Sequence, residues 1–233
     1  MVLPEKRKQF KTGHFSFRFS EDIDTNKIKE LAIYLEDNYS KISNHLKTIP
    51  APDIEVNIYA QRWKYIRATG NWAASGNIEG IAKLHFVEQA WGESDAKKTA
   101  VHEFTHAVVL KLLLDREQQP LDSKAFENKF AGLPVWLWEA TSVYEAAQFK
   151  DPKTMPFLSG GTYPSLSELN SRSKGGKIYN VGYILIEYIL HQYSQDKLIE
   201  LIANYGDVQK VLNVTAEEFS KGWYDFINTK YLL

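Results

Sequence analysis

The chain has 233 residues, enough to bury a substantial core in one large domain or in two closely packed lobes. Its 28 Lys and Arg against 29 Asp and Glu leave a formal charge of −1, too balanced to point to a nucleic acid or an anionic membrane as partner. Cysteine is absent, which excludes a disulfide framework and thiolate metal sites, so any metal must be held by nitrogen and oxygen ligands.

Met1 to Gly13 is basic and polar without an apolar leader-like stretch, and no later segment reaches the roughly 18 apolar residues of a membrane span. The expected molecule is soluble with no membrane insertion, and extracytoplasmic if a leader peptide has been removed from it. His14 to Phe19 alternates aromatic and polar residues as a half-buried strand does. Asp24 to Leu46 then carries apolar residues at helical spacing, with Ile28, Leu31, Ile33, Leu35, Tyr39 and Ile42 as the expected buried side. After Pro50 and Pro52 the pattern turns to strands. Ile54 to Tyr59 alternates clearly, and weaker runs follow at Tyr65 to Ala68 and Ile81 to Val87, broken by Gly70, Gly76 and Gly80.

From Ser94 onward strand signals nearly vanish, so residues 1–93 read as a strand-rich N-terminal lobe and 94–233 as a helical lobe of the same domain. Ser94 is the expected N-cap of a helix running to about Asp115, with Asp95 in its first turn. Its second half, Ala107 to Leu114, is apolar almost all round apart from Lys111, the mark of a buried central helix. Pro134 suits the first position of a helix reaching about Phe149, and further helices are expected at 178–193, 196–204 and 215–231.

The buried helix contains His102-Glu103-Phe104-Thr105-His106. Residues four apart share a helix face, so both imidazoles can bind one tetrahedral zinc ion, while Glu103 is offset to serve as general base. The pattern arises by chance in roughly one chain in a hundred of this size, so its context decides. The blander reading is a pair of core histidines satisfied by hydrogen bonds, and it must bear the cost of burying two His and one Glu.

A catalytic zinc needs a third protein ligand and an open fourth position. Ala107 to Lys111 offers neither the Gly nor the His that would follow in a metzincin. Glu139, in the apolar helix start Leu133 to Tyr144, has no cationic neighbour in sequence, and a metal would supply its counter-charge. Glu145, near the opposite side of that helix, and Asp115, at the end of the His helix, are the lesser candidates.

Pro134-Val135-Trp136-Leu137-Trp138-Glu139-Ala140-Thr141-Ser142-Val143-Tyr144, paired with the His-Glu-x-x-His run, resembles the gluzincin zinc metallopeptidase superfamily and particularly its bacterial peptidase MA-like members. In these a second helix reading roughly Pro-x-Trp-Leu-x-Glu-Gly-x-Ala-x-Tyr supplies the third ligand. Ala140 and Ser142 stand where Gly and Ala are usual, and both keep the helix surface small. The resemblance implies an α+β, zincin-like (thermolysin-like) fold with a strand-rich N-terminal lobe, a central metal-binding helix and a helical C-terminal lobe. It implies one Zn2+ held by His102, His106 and Glu139, and a peptide or protein substrate. Tyr179-Asn180-Val181-Gly182 is similar to the family's Tyr-x-Lys-Gly stretch without its Lys, which implies Tyr179 as the phenol that stabilises the oxyanion. The family also uses a sheet edge beside the metal helix to hold the substrate backbone, a role expected here of Gly80 to Val87. Gly76-Asn77-Ile78-Glu79-Gly80 is too unlike Gly-x-Met-Glu-Asn to bind a free amino terminus, which favours an endopeptidase.

Two functions thus stand. One is a zinc metallopeptidase with Glu103 as general base. The other is a binding or scaffolding protein of the same fold that keeps zinc without significant peptidase activity. His14, His45, His85 and His191 read as strand or surface residues, and Trp136 and Trp138 as core anchors.

Overall fold

The computed structural model describes residues 6–88, 95–117, 120–171 and 177–233. It is mixed α/β, with the strands among the described residues in one small sheet, and it divides into two compact units, Met1–Leu112 and Leu113–Leu233. The Ser94 cap and the expected lobe boundary at that residue lie outside the described residues.

In the first unit, β1 (Arg7–Lys11) and β2 (Phe15–Ser20) precede α1 (Thr25–Leu46) and β3 (Ile54–Tyr59). Then come α2 (Arg62–Thr69), β4 (Gly76–Glu79), β5 (Lys83–Val87) and α3 (Ala96–Asp115). The sheet order is β1-β2-β3-β5-β4. β2, β3 and β5 run parallel, and the two edge strands pair antiparallel to them.

The register explains the sequence pattern. Phe15 pairs with Ile54, Phe17 with Val56 and Phe19 with Ile58, while Val56 pairs with Leu84 and Ile58 with Phe86. All eight of these side chains are buried on one face, as a period of two requires. Over them lies α1, capped by Asp24, whose side chain accepts from Asn26 N. Its buried stripe is Ile28, Leu31, Ala32, Leu35, Asn38, Tyr39, Ile42 and Leu46. Ile33, expected in that stripe, is 64% exposed, because it projects from the side of the helix opposite Ile28 and Leu35.

Three further expectations are corrected. Tyr65 to Ala68 is helix, not strand. Tyr65 is the only fully buried residue of α2, so the segment showed no repeat of apolar positions from which its period could be read. β1 forms from the polar start of the chain, held to β2 by a full ladder and by Phe10 stacked on Phe17 with ring centroids 4.9 Å apart. The strand within Gly80 to Val87, expected at the sheet edge, is β5, flanked on both sides. The edge is β4.

The second unit is helical, and no strand occurs in it among the described residues. It holds α4 (Ser123–Phe130), α5 (Val135–Glu145), α6 (Pro156–Ser159), α7 (Leu166–Leu169), α8 (Ile178–Gln192), α9 (Gln195–Ala203), α10 (Val208–Leu212) and α11 (Ala216–Ile227). α5 ends at Glu145 rather than near Phe149, and Pro134 precedes its first turn as N-cap. Capping boxes at Ser165–Glu168 and Thr215–Glu218 start α7 and α11. Trp136 of α5 and Tyr188 of α8 both pack on Phe219 of α11, with centroids 6.0 and 5.5 Å away. No helix among the described residues is long and apolar enough to cross a membrane.

Phe104 fixes α3 in the first unit. It is fully buried, edge-on to Phe15 at 5.4 Å and stacked with Tyr39 at 5.8 Å. Phe104→Ala should lower stability by about 3–5 kcal/mol through lost burial and the cavity left behind, measured by urea unfolding. A loss under about 1 kcal/mol would contradict this account of the core.

Candidate metal centre

The first turn of α3 is capped by Asp95, whose carboxylate accepts from Lys97 N and Lys98 N at 3.1 and 3.3 Å. From Ala100 the helix is buried almost all round: Ala100, Val101, Phe104, Thr105 and Ala107 to Leu110 all lie in the interior. The Thr105 hydroxyl is returned to its own helix, donating to the Val101 carbonyl at 2.8 Å.

His102 and His106 stand one turn apart on this helix, with ring centroids 4.7 Å apart and planes at 90°. Phe104 lies between them in sequence and on the opposite side of the helix. The Phe15–Tyr39–Phe104 packing therefore also sets which way the two imidazoles face. Glu139 sits in the first half of α5 and is 3% exposed. Close by, Thr141 donates to the Leu137 carbonyl at 2.8 Å.

His102, His106 and Glu139 each bring one ligand atom to within 4.8 Å of the others, and all three are buried. This is a group that could hold a metal ion. Among the described residues it is the only such group, and Glu145 and Asp115 do not belong to it. Asp115 lies at the exposed end of α3.

Glu103 lies against the edge strand. A Cβ added at Gly76, the first residue of β4, would meet Glu103 Cγ at 2.6 Å and Oε1 at 2.7 Å. Tyr65 of α2 is within electrostatic reach of the same carboxylate. Burial first, and then Glu103, push the Tyr65 phenol up to about 12, against weaker pulls from Thr69 and Arg62. Sequence reasoning missed both neighbours. Gly76 read as a strand breaker and Tyr65 as a strand residue, and neither carries a local sign of a contact so distant in the chain.

Tyr179 is the second residue of α8 and is 40% exposed. Gly182, the other matching residue of that stretch, has a packing role. A Cβ there would lie 2.9 Å from Ala140 Cα and 3.3 Å from Ala140 Cβ. Small residues on both helices let α5 and α8 approach at the residue next to Glu139. His85 is a buried strand residue whose Nδ1 lies 3.2 Å from the Tyr59 hydroxyl and whose Nε2 lies 3.4 Å from Glu79. Burial lowers its pKa, although Glu79 acts in the opposite sense.

Gly182→Ala should cost about 1–3 kcal/mol, the usual penalty for forcing extra volume into a packed contact, and chemical denaturation should show a lower midpoint. An unchanged midpoint would mean that α5 and α8 do not need this close approach. In comparisons with known proteins, no family model matches the chain and no curated protein shows significant similarity to it.

Proposed function

We propose that the protein is a zinc-dependent peptidase of zincin-like fold, acting as an endopeptidase. The observation that carries this reading is the convergence of His102, His106 and Glu139 within 4.8 Å in a buried setting, with Glu103 next to the first His on the same helix. Two imidazole nitrogens and one carboxylate oxygen are the donor set of catalytic zinc sites that keep a fourth position open, whereas a structural zinc is closed by four protein ligands. Ligand bonds of about 2.0–2.2 Å at tetrahedral angles place donor atoms roughly 3.3–3.6 Å apart, which the observed grouping accommodates.

Zinc held by these three residues supplies a Lewis acid that acidifies a water and polarises the scissile carbonyl. The protein's own residues do the rest. Glu103 takes a proton from the attacking water as its oxygen bonds to the carbonyl carbon, and delivers that proton to the amine as the C–N bond breaks. The Tyr179 phenol donates a hydrogen bond to the oxygen that becomes negative, a role suited to a phenolic O–H, which donates without carrying charge. The sheet-edge role expected of Gly80 to Val87 passes to β4, whose outward backbone groups can pair with an extended peptide.

Zinc analysis combined with turnover of a quenched peptide library, with and without chelator, tests the reading. Glu103→Gln should retain stoichiometric zinc and lose about 10²–10⁴-fold in kcat, the usual share of a general acid–base group. Glu139→Ala should weaken zinc binding by more than about 100-fold, since even outer-shell partners of a metal ligand are worth 10- to 100-fold. Wild-type protein that binds zinc and cleaves no peptide would favour the binding or scaffolding role instead.

A further inference from the structure

Catalysis by Glu103 requires its carboxylate to be held where a water can meet it, and helix position alone does not do this. A glutamate side chain has three rotatable bonds, and a displacement of about 1 Å can cost 10²-fold in rate. Two residues of the first unit restrict it.

Gly76 is buried and does not have a positive φ, so the backbone there does not call for glycine. What calls for it is space. The Cβ of any other residue would fall 2.6 Å from Glu103 Cγ, 2.7 Å from Oε1 and 2.9 Å from Cδ, where real Cβ atoms do not sit. The Glu103 side chain occupies the volume that a side chain on the edge strand would fill. Tyr65 is wholly buried, and its hydroxyl has no hydrogen-bond partner among the described residues. The Thr69 hydroxyl, one turn along, donates to the Tyr65 carbonyl at 2.9 Å. The phenol stays protonated at neutral pH, in the field of the Glu103 carboxylate. A buried O–H without an acceptor is costly, and the nearby anion is the group it can serve.

We propose that Gly76 and Tyr65 are positioning residues for Glu103: Gly76 leaves the slot against β4 that the carboxylate occupies, and the Tyr65 hydroxyl, which bonds nothing among the described residues, is the donor that one carboxylate oxygen takes up in the working enzyme so that the other is directed at the water. The Gly76 slot is a feature of the structure; the Tyr65 hydrogen bond and the catalytic consequence rest on the peptidase reading above.

The test uses the zinc-loaded full chain as wild type, Gly76→Ala and Tyr65→Phe. Zinc affinity is measured by chelator competition, kcat and KM with a cleaved peptide, and the Glu103 conformation by crystal structures of all three. Both variants are expected to bind zinc within about twofold of wild type, because neither residue is a ligand. Gly76→Ala should reduce kcat by about 100-fold and Tyr65→Phe by about 10-fold, with little change in KM, because the base and not the substrate is misplaced. In both structures Glu103 should leave its wild-type rotamer. Tyr65→Phe removes an oxygen that makes no hydrogen bond, so it retains the fold and decides the matter if Gly76→Ala does not fold. Wild-type kcat together with an unmoved Glu103 would overturn the proposal. If the wild type cleaves no peptide, the peptidase reading fails and the crystallographic position of Glu103 alone upholds or overturns the slot.

Discussion

The organising constraint is the burial of polar ligands within a helix that is otherwise hydrocarbon. α3 is apolar on nearly every side from Ala100 onward, yet His102 and His106 lie within it at 7% and 5% exposure, and Glu139 is buried to 3%. Removing two imidazoles and a carboxylate from water costs several kcal/mol unless a charge or hydrogen bonds answer them. A divalent cation answers all three at once.

The rest of each unit reads as support for that arrangement. In the first unit the paired rows Phe15–Ile54, Phe17–Val56–Leu84 and Phe19–Ile58–Phe86 build an apolar floor. Phe104 keys α3 into this unit beside Tyr39. In the second unit Gly182 and Ala140 replace side-chain bulk with proximity, and Trp136, Tyr188 and Phe219 fill the space beyond. Large residues thus set orientation and small ones set distance, and a ligand group needs both to be correct to a fraction of an ångström.

Much of this was legible in the sequence because long, strongly periodic segments carry their own evidence. The helices at 24–46, 94–115, 134–149, 178–193, 196–204 and 215–231 all exist, with ends shifted by a few residues. His102, His106 and Glu139 could be grouped because burying them demands a common answer. What was illegible depends on tertiary context. Whether β5 is inner or outer is decided by β4, whose four residues include Gly76 and Asn77, poor strand formers on their own. In α2, Tyr65-Ile66 has the local preference of a strand, and the helix shows only once Tyr65 is seen to be its one fully buried side chain, with Ile66 packed beside it. The contact between Gly76 and Glu103 spans elements that no local pattern links.

The two margins of the sheet differ in kind, and both discourage joining to another copy. β1 carries Arg7, Lys8 and Lys11 among its five residues, so a second molecule adding itself there would bring the same cations alongside. β4 offers only four residues of open backbone, too short a template for a stable intermolecular ladder but long enough to grip a few residues of an extended chain. Among the described residues this open margin is brief, which limits fibre-like growth from it.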